Sequence, residues 1–63
     1  MCLAKAFLEK DGERELILES VALMEIEGKR LRLSSLFGEE KEIEASVRQV
    51  DFENSRIILQ KAV

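Results

Sequence analysis

Hydrophobic and polar residues alternate along most of this chain. Met24 and Ile26 alternate with Glu25 and Glu27, and Leu31 and Leu33 with Arg30 and Arg32. Ile43, Ala45 and Val47 alternate with Glu42, Glu44 and Ser46. Ile57 and Leu59 continue the pattern against Arg56 and Gln60, although Ile58 breaks it. Period two over about four to eight residues marks a strand with one face in a core and the other in water. The phase slips between Val47, Val50 and Phe52. A bulge or a single 3₁₀ turn near Arg48 and Gln49 is therefore expected, to restore the inward direction.

Four polar interruptions separate these segments: Glu9 to Glu13, Ile26 to Arg30, Phe37 to Lys41 and Asp51 to Ser55. Asp11-Gly12 is a strong two-residue hairpin signal, because both residue types tolerate the positive φ of a type I′ turn. Gly28 and Gly38 suit the same purpose. A helical alternative exists for Glu13 to Met24, with Leu16, Glu19, Ser20 and Leu23 at helical spacing. The two middle positions of that stripe are polar, so a strand at Glu15 to Leu18 is the better reading. The pattern predicts one all-β domain over residues 1–63. Its architecture is a small SH3-like barrel or sandwich of about six short antiparallel strands.

Composition narrows the picture. A chain of 63 residues buries only about 60% of its unfolded surface, and such a core leaves about 3–5 kcal/mol of net stability. Small domains add a staple. Cys2 is the sole cysteine and there is no histidine, so an internal disulfide and a histidine-based metal site are both excluded. Oligomerisation is the staple that remains. The net charge of −3 has the wrong sign for phosphate contacts. Phe7, Phe37 and Phe52 are the only aromatics, too few for a base-stacking platform. Nucleic acid is thus not expected as a partner. No stretch approaches the ~20 apolar residues of a membrane span, and no signal-peptide pattern opens the chain. A cytoplasmic location is expected, where a lone thiol stays reduced.

The first segment has an unusual face. Cys2, Ala4, Ala6 and Leu8 share one side, and Leu3, Lys5, Phe7 and Glu9 the other. Small side chains there leave room for a bulky neighbour such as Phe52 or Leu33, or for a second protein backbone. Both remain open. The thiolate of Cys2 is a soft ligand suited to zinc, copper(I) and nickel. A single subunit supplies one such sulfur, whereas a two-fold interface sets a residue against its own copy. Without Met1, Cys2 would also present an α-amine, closing a five-membered chelate ring. Two such chelates form an N₂S₂ set, which in a plane suits nickel(II) or copper(II) better than zinc. With Met1 retained, the donors are thiolate, backbone amide nitrogen or the Met1 amine. The plainer reading of Cys2 is a packed small residue. Cysteine–histidine nucleophilic chemistry is excluded by the lack of a base, and no convergent acid, base and nucleophile is visible. The chain does not read as an enzyme.

Other charged features read as solvated surface. Glu39-Glu40-Lys41-Glu42 suits a wet turn before a strand, with docking or hard-metal binding as its functional alternative. Glu13, Glu15, Glu19, Glu25 and Glu27 suit wet strand faces, and Arg30 and Arg32 suit cross-strand pairs with acidic neighbours. Met24 is spaced as core.

The opening Met1-Cys2-x-Ala4, the turn Leu36-Phe37-Gly38-Glu39-Glu40 and the following Val50-Asp51 together resemble the CooT family. These small nickel-binding proteins are associated with nickel delivery to carbon monoxide dehydrogenase. The resemblance covers essentially the whole chain. It implies a homodimer that binds Ni(II) between its subunits through Cys2, with a nickel enzyme as client. It therefore implies a metallochaperone rather than a catalyst. Members of the family have also been labelled RNA-binding, a label that the acidic balance here does not support. No histidine-rich storage tail is present, so one ion per dimer is expected. The alternative is a small protein- or RNA-interaction module in which Cys2 is merely packed.

Overall fold

The computed structural model describes residues 3–61. Five strands follow one another: β1 (Ala4–Lys10), β2 (Glu13–Glu27), β3 (Arg30–Ser35), β4 (Glu40–Asp51) and β5 (Arg56–Lys61). They hydrogen-bond in chain order and close into a small barrel. Four pairings are antiparallel, and the closing pair, β1 with β5, is parallel. No helix occurs among the described residues, so the all-β expectation holds and the helical alternative over Glu13 to Met24 does not.

The strand count is five where about six were expected, and the reason lies at Ser20. The segments around Glu15–Leu18 and Met24–Glu27 belong to one strand of 15 residues. Ser20 bends it, with a φ of 56°, and register shifts flank the bend. The first half of β2 pairs with β1 and the second half with β3. In the same way β4 pairs first with β3 and then with β5. Bending two long strands lets five strands wrap one core. Curvature of this kind needs bulges and residues outside the ordinary β region.

The turns follow their residues. Lys10 pairs with Glu13 across Asp11 (φ 52°) and Gly12 (φ 80°), both in the positive region that type I′ requires. The expected irregularity near Arg48 is a bulge: Val47 opposes Leu59 while Gln49 opposes Ile58. Arg48 is the extra residue. Its guanidinium reaches over β5 to the Glu9 carboxylate, which Arg14 also contacts at 3.2 Å.

The core consists of Ala6, Leu18, Val21, Leu31, Leu33, Ala45, Ile57 and Leu59, with Ala4, Leu8, Ile17, Met24, Ile43 and Val47 packed against it. Leu31, Leu33 and Leu59 are the largest fully buried side chains, each worth about 1.5–3 kcal/mol of burial. Ala6 has no exposed surface, and it lies in register with Leu18 and Ile57. Leu33 is among the buried leucines at the centre of the barrel, whereas Phe52 is not in the core at all. At 86% exposure Phe52 stands in water, because it follows the last residue of β4 and begins a turn. Ile58, which broke the alternation, is buried outside the main cluster, in register with Phe7 and Gln49. Arg30 and Arg32 pair across the sheet with Glu42 at 3.6 and 3.3 Å, and Arg32 also reaches Glu25 at 3.8 Å. Water screens this exposed ladder, so it contributes to register more than to stability.

Candidate functional site

Cys2, the candidate metal ligand, lies outside the described residues. The neighbourhood of β1 just after it is described, and it is set by two turns. On one side Ala4 is in register with Val21, and Val21 with Ser35. On the other side Lys5 is in register with Arg56, and Arg56 with Asp51. Two strand spacings amount to about 10 Å. The start of β1 therefore has the Leu36–Glu39 turn on one flank and the turn after Val50-Asp51 on the other. Three sequence pieces that are far apart in the chain converge at one end of the barrel.

The Asp51 turn is built from its own side chains. One Asp51 carboxylate oxygen accepts the backbone N–H groups of Glu53 (3.0 Å) and Asn54 (3.1 Å). The other accepts from Asn54 Nδ2 (2.9 Å) and Arg56 Nη2 (3.3 Å). An aspartate that binds the backbone two residues onward is a recurrent turn former. The side-chain and backbone donors of Asn54, with help from Arg56, hold the Asp51 pKa below the ordinary carboxylate value. Ser55 takes a φ of 53° and its carbonyl accepts the Lys5 N–H at 3.0 Å, which ties this turn to β1. The result is a largely apolar cleft of about 250 Å³, lined by Ala4, Val50, Phe52, Arg56 and Ile57 among others. Arg56 Nε is buried without a hydrogen-bond partner, an uncommon state for a charged donor.

The Leu36–Glu39 turn is tied to the bend in β2. Leu36 N–H donates to the Ser20 carbonyl at 2.9 Å. Ser35 is buried, and its Oγ accepts the N–H groups of Phe37 and Glu39, each at 3.1 Å. Gly38 has a φ of 91°, a region that side chains avoid. These bonds leave Leu36 and Phe37 projecting, Phe37 with 77% of its surface exposed. The acidic run Glu39 to Glu42 is likewise exposed.

Among the described residues, no group of three or more histidine, cysteine, aspartate or glutamate side chains could hold a metal ion. The carboxylates here pair with arginines, with Lys5 in the case of Glu19, or face water. A soft-metal site in this protein thus depends on Cys2 and on donors supplied with it. The cleft beside Ala4 was not foreseen from the sequence. Its signal was the pair Val50 and Phe52, apolar residues at the end of β4 that the core does not cover.

Comparison with known proteins agrees with this fold. The model of the family described as CooT, CO dehydrogenase accessory protein, matches residues 1–60. The crystal structure of a protein described as a CooT from Carboxydothermus hydrogenoformans is similar, with a TM-score of 0.91 and 31% sequence identity. That match covers 98% of this chain and 100% of the other. No curated protein matches the chain.

Proposed function

The chain belongs to the CooT family of CO dehydrogenase accessory proteins, and on that premise we propose that it is a nickel carrier. In this reading it is a homodimer. Ni(II) is its cargo, held between the two subunits by the paired Cys2 thiolates, and the recipient is carbon monoxide dehydrogenase or another nickel enzyme. Its role is accessory and not enzymatic. The cytoplasm, where such thiols stay reduced, is the compartment that suits it.

The observation that carries the proposal is the family match over residues 1–60, a span that includes Cys2. Donor chemistry supports it. The sequence has one cysteine and no histidine, so a sulfur-rich site needs two copies of the chain. Two thiolates completed by amine or amide nitrogens form the planar N,S set that Ni(II) favours. The surface beside β1 supports it as well. Val50 and Phe52 expose apolar area around Ala4, two positions after Cys2. Apolar surface of this kind suits the buried core of a symmetric subunit contact.

Titration of the apo protein with Ni(II) tests the idea. Thiolate-to-nickel charge-transfer absorption should grow and saturate at about half an equivalent per chain, the ratio that two thiolates per ion require. Cys2→Ser should abolish it. Absence of the bands in the parent protein, or their persistence in the variant, would refute the assignment.

A further inference from the structure

The barrel is closed, yet one stretch of strand edge is unpartnered. β2 pairs with β1 over Glu13 to Val21 and with β3 only from Val21 onward. Between Glu13 and Glu19 its second edge therefore has no strand beside it among the described residues. Antiparallel ladders alternate hydrogen-bonded and non-hydrogen-bonded pairs. Lys10 and Glu13 close the two-residue turn as a bonded pair, so Glu9–Arg14 is a non-bonded pair, Leu8–Glu15 bonded, and Phe7–Leu16 non-bonded. It follows that Arg14 and Leu16 aim their backbone N–H and C=O groups at the open side. Farther along, the Ser20 carbonyl is already taken by Leu36 N–H, which ends the free stretch.

A groove of about 390 Å³ lies along this edge, lined by Leu16 to Ser20 on one side and by Phe37 and Glu39 on the other. Phe37 is an exposed aromatic held in place by the Ser35 hydrogen bonds. Natural proteins usually blunt such an edge with lysine, proline or a cover. Here Glu19 and Glu39 put carboxylates in the lining of the groove, and Glu13 and Glu15 lie farther along the same edge strand. Glu13, Glu15, Glu39 and Glu40 form no ion pair among the described residues. This charge decides between occupants. A second copy pairing edge to edge about a two-fold axis through Arg14 and Leu16 would set Glu13 against Glu15, Glu15 against itself, or Glu13 against Glu19, depending on register. Like charges directly opposite destabilise a sheet. A basic strand meets the opposite situation.

We propose that the Glu13–Glu19 edge of β2 docks an extended, lysine- or arginine-bearing segment of a partner protein. The segment adds as a further strand, bonded to the Arg14 and Leu16 backbone, with an apolar side chain in the groove between Leu16 and Phe37. Main-chain bonds supply affinity in this mode, and side-chain pockets and charge supply selectivity. Nothing in it depends on the metal, so it stands or falls separately from nickel binding.

The probe is an acetylated and amidated peptide of alternating lysine and valine, about eight residues long to match an ordinary strand. Binding to the full chain is read by amide NMR and by hydrogen exchange. The Arg14 and Leu16 amides should become at least about tenfold more protected, the scale of one or two hydrogen bonds. A peptide with glutamate in place of lysine, and one methylated at alternate backbone nitrogens, should each bind at least about tenfold more weakly. Leu16→Pro removes the outward N–H at a position where edge strands tolerate proline, and it should weaken binding similarly. If circular dichroism shows that this variant does not fold, Phe37→Ser, at an exposed site, gives the same test. Three results would overturn the proposal. One is unchanged exchange at Arg14 and Leu16, and another is equal affinity for the glutamate peptide. The third is protection of both amides in the free protein that disappears on dilution to monomer, which would make this edge a contact between copies.

Discussion

Ala6→Leu tests the packing at the heart of this barrel. Ala6 has no exposed surface and sits in register between Leu18 and Ile57, both buried. A leucine there adds three carbon atoms where the neighbouring strands leave no room. Inserting methylenes into a filled core costs about 1–3 kcal/mol. Against a net stability of about 3–5 kcal/mol for a domain of this size, the loss is a fifth or more of the whole. With a urea dependence of about 1 kcal/mol/M, the unfolding midpoint should fall by about 1–3 M. Ala4→Leu is the control. Ala4 is only partly buried and borders the open cleft with Phe52, so the same added volume can enter that cleft and the midpoint should move by less than about 0.5 M. Chemical unfolding followed by circular dichroism, at one fixed protein concentration, measures both. If Ala6→Leu unfolds at the parental midpoint, or if the two variants lose equal stability, the small face of β1 is not sealed as described.

Other consequences can be checked separately. The Asp51 pKa is lowered in the folded chain, so its contribution is fully present above the unfolded carboxylate pKa of about 4. That contribution is lost as pH falls through the folded value; an NMR titration of the Asn54 amide should show a midpoint below 4, and one at or above it would contradict the hydrogen-bond account. Ser35→Ala leaves the Phe37 and Glu39 amides without their shared acceptor and should cost about 1–3 kcal/mol, with hydrogen exchange accelerating first at those two amides.

Much of the fold was legible because alternation and turn chemistry are local. Leu31 and Leu33 were inward by period alone, and both are buried. Asp11-Gly12 specified its own turn, and the phase slip after Val47 located the bulge at Arg48. What stayed hidden depended on distant contacts. Ser20 carries a positive φ without being glycine, so nothing local announced that two expected strands were one. The parallel closure of β1 on β5 joins segments about fifty residues apart (Lys5 with Arg56), and no pairwise pattern along the chain encodes it. Phe52 looked like core because it is apolar, yet the Asp51 side chain ends β4 and turns Phe52 outward. Cys2 as a ligand rests on coordination chemistry and family resemblance alone, because it lies outside the described residues. The cleft beside Ala4 required the fold, because Val50 and Arg56 meet there only through strand pairing.

Native mass spectrometry of the protein loaded with Ni(II) tests the central claim most directly. It should show a dimer carrying one nickel ion, with Cys2→Ser binding none under the same conditions. A nickel-bearing monomer, or the same nickel uptake by the serine variant, would contradict a cargo site shared by two Cys2 thiolates.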